Sequence, residues 1–179
     1  MTGGDLRRFR RRALVASVAT LALATSAVAL CQDVPDRPLD FVSVIESRHP
    51  GVPWVSTASL AAELEGDAPV LLDVRTTAEY ATSHIRGATR VEPGSDPSRV
   101  DLPSERPVVV YCSIGYRSAD FAERLRARGI EARNLAGGIF QWANEDRPMV
   151  KHGEATQHVH PYDATWGRLV DPEHRAPLP

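Results

Sequence analysis

Between Trp54 and Ala143 the chain alternates short apolar runs with amphipathic stretches. Val108-Val109-Val110-Tyr111 is an unbroken apolar run behind Pro107, the signature of a strand buried on both faces. Val70-Leu71-Leu72-Asp73-Val74 has the same character and is flanked by turn residues. Trp54-Val55 and Ala132–Leu135 are shorter strand candidates. Between these runs the spacing becomes helical. Ser56 or Thr57 caps a helix whose apolar face includes Leu60, Ala61 and Leu64, stopped by Gly66. Thr76 or Thr77 caps a short helix reaching about Ser83. Arg117–Arg128 carries Ala119, Phe121, Ala122 and Leu125 on one face and ends at Gly129. Gly137-Gly138 turns into a short helix around Ile139–Ala143. Strands alternating with helices predict an α/β fold, a mostly parallel sheet flanked by helices on both faces.

The flanks read differently. Residues 93–107 are loop-like. Residues 32–53 contain Pro35, Pro38, Pro50 and Pro53 and read as a Pro-rich tether, with one short helix over Leu39–Ser47. Residues 148–179 return to loop composition, with five prolines. Tyr162 and Trp166 are large apolar bodies there, so this C-terminal tail is expected to pack in part on the domain at 54–147.

Charge separates the N-terminus from the body. Residues 1–31 hold five arginines and one aspartate, whereas the other 148 residues hold 16 basic and 22 acidic side chains. An acidic body has no electrostatic footprint for nucleic acid. Arg7, Arg8, Arg10, Arg11 and Arg12 precede eighteen uncharged residues, Ala13–Leu30, and Ala27-Val28-Ala29 offers a cleavage site. That is the layout of a signal peptide, with a membrane anchor as the alternative reading of 1–31. Arg11-Arg12-Ala13-Leu14-Val15 resembles a twin-arginine signal, and Val28–Cys31 resembles a lipoprotein box that lacks its small residue at Leu30. Cleaved, anchored or lipidated, the body is expected to be exported, periplasmic or extracytoplasmic, with possible membrane attachment through the N-terminus.

The chemistry concentrates after the strongest strand. Cys112 precedes Ser113-Ile114-Gly115-Tyr116-Arg117-Ser118 and then a helix. A cysteine between a strand end and a helix start sits where amides converge and the helix dipole is positive. Gly115 permits a tight loop whose N–H groups form an anion nest. Arg117 adds a permanent cation, and Ser118 is placed to cap the helix. Such surroundings hold a nucleophilic thiolate. Asp73 and Arg75 read as organisers of strand ends, His84 as a structural histidine, Gly137-Gly138 as a turn that approaches the sheet closely, and Trp142 as core. His152, His158, His160 and His174 lack the companion ligands of a metal site.

These segments resemble the rhodanese-like sulfurtransferases. Four motifs in order carry the resemblance: Leu71–Arg75 with Glu79-Tyr80, Ser83–Ala88, Val110–Ser118, and Leu135–Gly138 with Trp142. The resemblance implies a persulfide-carrying Cys112 and a substrate cradle formed by Ser113, Ile114, Gly115, Tyr116, Arg117 and Ser118. Asp73 and Arg75 would be supporting residues. It implies sulfur transfer from a small donor such as thiosulfate to a thiol or protein-cysteine acceptor, without metal or organic cofactor. Counted from the cysteine, the loop to Arg117 has six residues; related phosphatases and arsenate reductases use a longer loop for a tetrahedral oxyanion. A phosphatase or arsenate reductase on the same scaffold, and a non-catalytic or persulfide-binding envelope module, are the alternatives. Two positions depart from the family pattern: Ser113, where thiosulfate users often carry a basic residue, and Arg86, where proline is frequent.

Overall fold

The structure, a computed structural model, describes residues 37–103 and 106–178. The signal-peptide motifs, Cys31 and the start of the 32–53 segment lie outside the described residues.

The central sheet contains β1 (Trp54–Val55), β2 (Val70–Asp73), β4 (Thr89–Arg90), β5 (Val108–Tyr111) and β6 (Ala132–Leu135). Its order is β1-β6-β5-β2-β4, and every neighbouring pair is parallel. β3 (His84–Ile85) pairs instead with β7 (Met149–Lys151), which continues into β8 (Glu154–Thr156) as a small antiparallel sheet. The helices are α1 (Val42–Arg48), α2 (Thr57–Leu64), α3 (Thr77–Thr82), α4 (Tyr116–Arg126) and α5 (Gly138–Asn144).

The period-2 geometry of β5 explains its unbroken apolar run. Val109 and Tyr111 face a core shared with Leu60, Ile139, Phe140 and Trp142. Val108, Val110 and Cys112 face the opposite core, shared with Phe121, Ala122 and Leu125 of α4. A strand covered by helices on both sides needs no polar face.

From β2 the chain moves to β4 on one side, and from β5 it moves to β6 on the other. The loops that follow β2 and β5 therefore diverge, leaving a crevice at the carboxyl ends of these strands, where open α/β sheets place their ligands. Cys112 opens the loop after β5, and α3 follows β2.

Three sequence expectations change. Residues 37–53 do not run as a free tether: a 3₁₀ turn at Pro38–Phe41 leads into α1, with Pro38, Ile45 and Val52 buried. The tail is not all loop, because 149–156 forms a hairpin that completes the second sheet. His152 and Gly153 both take positive φ at its two-residue turn, the conformation a tight hairpin demands. Ser118 does not cap α4. The helix begins one residue earlier than its spacing suggested, Gly115 is the N-cap, and the Ser118 hydroxyl is buried without a hydrogen-bond partner among the described residues.

Candidate active site

β5 delivers Cys112 into the core with 1% of its surface exposed. The loop then folds back, so that the Gly115 amide donates to Cys112 Sγ at 3.2 Å. Gly115 takes φ +107, and a Cβ there would press on Trp54 and Asn134. Asn134 on β6 donates from its Nδ2 to the Gly115 carbonyl at 2.8 Å, fixing the peptide from the other side. The first-turn amides of α4 follow directly; the opening N–H groups of a helix have no acceptor within it.

α5 clamps the beginning of the loop from below. The amides of Ile139 and Phe140 donate to the carbonyls of Cys112 and Ser113 at 2.9 and 3.0 Å. This approach requires glycine at 138: a Cβ would lie 2.5 Å from both carbonyl oxygens, and the residue has φ +58. The close approach expected of Gly137-Gly138 is thus to the cysteine loop itself.

The cradle residues divide by what they present. Ile114 turns its side chain into the core. Tyr116 is half-exposed and accepts a hydrogen bond from Arg48 through its hydroxyl. Neither side chain faces the sulfur as a hydrogen-bond donor, so their contribution is backbone. Ser113 and Arg117 use their side chains, but on a residue that sequence reading did not place in the site, Glu79.

Glu79 comes from α3 and is 2% exposed. Its Oε2 accepts from the Thr76 amide and hydroxyl, completing a capping box at the start of α3. Both oxygens also accept from Arg117, at 3.0 Å from Nη1 and 2.7 Å from Nη2, and Oε1 accepts from the Ser113 hydroxyl at 3.0 Å. Arg117 Nη2 donates further to Ser113 Oγ. Burial alone would raise the Glu79 pKa, but the hydrogen bonds and charge of Arg117 outweigh it and hold the carboxyl at about 2. For Arg117, burial pulls the pKa down, and Glu79 and Cys112 more than reverse this. The Tyr162 ring, carried in from the C-terminal tail, lies over the guanidinium at 5.2 Å.

Asp73 and Arg75 are a separate pair. Both are fully buried, joined by hydrogen bonds of 2.6 to 3.1 Å, and Arg75 also reaches the Ser83 carbonyl. Tyr111 lies beside them, and its hydroxyl accepts from the Ile85 amide. These contacts lock the end of β2 to the β3 segment. His84 stacks on Tyr80 and bonds to the Tyr80 carbonyl, and Trp142 is buried with its Nε1 on the Pro148 carbonyl. His174 is buried between Gln157 and Asp146, and His160 accepts from the Tyr162 amide. Among the described residues no three His, Cys, Asp or Glu side chains gather as a metal site would require.

A groove of about 270 Å³ runs beside the loop, lined by His49, Val74, Gly94, Tyr116, Arg117 and Phe121 among others. A larger cavity of about 550 Å³, lined by Leu39, Thr57, Ala136, Glu145 and Arg147, contains none of the loop residues. Of its two carboxylates, Glu145 is committed to Thr57, Gln141 and Arg147, and Asp146 lies 3.3 Å from His174 Nε2.

The family model for the rhodanese-like domain matches residues 56–145, which hold the whole central sheet except the first strand, together with the cysteine loop and its clamp. The chain belongs to the rhodanese-like family. A sulfurtransferase of Allochromatium vinosum is 36% identical over 99 residues, 54% of this chain and 92% of that protein. The probable adenylyltransferase/sulfurtransferase MoeZ of Mycobacterium tuberculosis is 35% identical over 82 residues, 44% of this rhodanese but only 21% of that larger protein. Among solved structures, a rhodanese-related protein from Thermoplasma volcanium superposes with a TM-score of 0.51 at 26% identity, covering 55% of this chain and 97% of that one. The thiosulfate sulfurtransferase of Pseudomonas aeruginosa shares the fold, with a TM-score of 0.55 at 23% identity over 65% of this chain and 23% of that one.

Proposed function

We propose that this rhodanese moves a sulfane sulfur from a donor such as thiosulfate to a thiophilic acceptor through a persulfide on Cys112. Sulfurtransferase relatives support the general activity. The single observation that carries the finer reading is the Gly115 amide aimed at Cys112 Sγ at 3.2 Å, inside a short loop that opens a helix.

The cycle consists of two displacements. Cys112 thiolate attacks the outer sulfur of the donor, the S–S bond of the donor breaks, and the remainder departs as sulfite or a thiolate. The new terminal sulfur sits near the first-turn amides of α4, whose unspent N–H groups and dipole stabilise negative charge. An acceptor thiolate or cyanide then takes that sulfur and returns Cys112 to the thiolate. Two half-reactions give ping-pong kinetics. The chemistry needs no resident redox group, since sulfane sulfur moves without net oxidation.

The test is mass spectrometry of the purified protein after a sulfur donor. One added sulfur on the Cys112 peptide, absent in Cys112→Ser, together with loss of turnover in that variant, is the expected result. An unmodified Cys112, or a Cys112→Ser variant that keeps most thiosulfate:cyanide activity, overturns the reading. The arginine cluster and the uncharged Ala13–Leu30 stretch support export of the domain. Cell fractionation that finds full-length soluble protein in the cytoplasm would count against it.

A further inference from the structure

Arg117 is the only formally charged side chain in the loop 112–118, and Glu79 balances its charge. Two of its N–H groups are held by the Glu79 carboxylate and one by Ser113, its guanidinium also interacts with Cys112, and one π-face lies under Tyr162. Beside the groove, Asp120 pairs with Arg124 at 3.0 Å, and His49 Nδ1 meets Glu123 at 2.7 Å. Arg48 is solvent-exposed, lies 5.6 Å from the Tyr116 ring and donates to the Tyr116 hydroxyl. Counting the Cys112 thiolate with Glu79 and Arg117, the reacting centre is a net anion.

We infer that Glu79 is a specificity-determining residue: by neutralising Arg117 it turns the site away from dianionic donors such as thiosulfate and toward organic persulfides of low charge. The inference rests on the sulfur-transfer reading of Cys112 and names the donor class within it. With thiosulfate, the thiolate and ⁻S–SO₃⁻ give Cys112–S–S⁻ and SO₃²⁻, so a dianion must be brought to an anionic centre and a dianion must be released. With an organic persulfide, the thiolate and R–S–SH give Cys112–S–SH and R–S⁻. The S–S bond of the donor breaks, the proton travels with the outer sulfur, and only one unit of charge leaves. Like charges at close range in a partly desolvated crevice repel with little screening by salt. Ser113 reinforces the effect, because its hydroxyl donates to Glu79 where a basic residue would add positive charge.

The test compares an anionic with a neutral reagent of the same shape on the full-length chain. Peptide mass spectrometry gives the rates at which iodoacetate and iodoacetamide alkylate Cys112, and their ratio is set against that of free cysteine. In parallel, sulfur loading of Cys112 is timed with thiosulfate and with an alkyl persulfide that carries no other charge. The wild-type alkylation ratio is expected at or below that of free cysteine. Glu79→Gln should raise both the alkylation ratio and the thiosulfate-to-persulfide ratio about tenfold or more. A wild-type alkylation ratio above that of free cysteine, or a change under threefold in both ratios in Glu79→Gln, overturns the inference. Should that variant not fold, the wild-type alkylation ratio decides alone. If neither donor loads Cys112, the sulfur-transfer reading fails and the donor preference with it, while the alkylation ratio still judges what Glu79 does to the charge at the sulfur.

Discussion

Removing the Arg117 side chain leaves Glu79 as a 2% exposed carboxylate facing Ser113 without its cation. Breaking a buried pair from one side costs about 3 kcal/mol or more. Arg117→Ala is therefore expected to lower both stability and turnover, the latter by tens-fold, read by urea unfolding and single-turnover loading. A normal unfolding midpoint would show that the pair is not a structural tie. The same pair sets an acid response. The folded-state pKa of Glu79, about 2, lies below its ordinary value of 4.5. Its contribution is therefore fully present above about pH 4.5 and is lost as pH falls through 2. The size is about 3 kcal/mol by linkage. Glu79→Gln should flatten the stability profile across that window; an unchanged profile would place the acid response elsewhere. Ser118 makes the opposite case. Its hydroxyl is buried and has no partner among the described residues, so Ser118→Ala should leave stability unchanged or raise it by up to about 1 kcal/mol. A loss of more than that would show a hydroxyl contact, such as a buried water, at this position.

At the scale of elements, the loop after β5 is held less by its own residues than by α5. Gly138→Ala places a methyl group against the Cys112 and Ser113 carbonyls, in a backbone region that disfavours any side chain. The expected cost is about 2–4 kcal/mol of stability together with loss of sulfur loading, checked by thermal unfolding and mass spectrometry. Full activity in this variant would mean that the clamp is dispensable. The sequence was informative where local pattern and packing agree. β2, β5 and β6 lie where the apolar runs predicted, Ser56 and Thr76 cap their helices, and Gly137-Gly138 marks a close approach. It was uninformative where one residue serves two partners. The spacing of Thr76 and Glu79 announces a capping box, a role that by itself accounts for that carboxylate. Only the fold brings α3 alongside a loop 38 residues away, where the same oxygens meet Arg117. The β7–β8 hairpin had a readable sign, His152-Gly153 between two short runs of three residues. The prolines around it masked it, as did the need for β3 as a partner.

The whole molecule extends beyond the segment its family shares. The family match ends at residue 145, yet Val159, Leu169 and Val170 are buried in the core that also holds Leu60, Ile139 and Trp142. The tail is tied down along its length. The Val159 amide and carbonyl bond to His174 and Ala176, Asn144 bonds to the Leu169 carbonyl and the Asp171 amide, and Gly167 lies tight against Pro161. Three buried aliphatic side chains are worth about 4.5–9 kcal/mol at 1.5–3 kcal/mol each. That is comparable to the whole stability of a typical domain, about 5–15 kcal/mol. A chain ending at Thr156 should therefore be unfolded or barely folded, even though every residue of the family match and both small strands after it are present. Circular dichroism and urea unfolding of this truncation against the full chain would show it. A truncated protein with a cooperative transition near the wild-type midpoint would mean that the tail merely covers a self-sufficient domain. The route from the tail to the chemistry is short, since Tyr162 leaves this anchored segment to lie on Arg117. Full-length Leu169→Ala, which opens a cavity in the tail's own packing without touching the loop, should cost about 2–5 kcal/mol. It should also loosen Tyr162, so the rate at which Cys112 is alkylated by iodoacetamide should rise before global unfolding sets in. Unchanged alkylation in a destabilised Leu169→Ala protein would show that the tail supports the fold without shielding the cysteine.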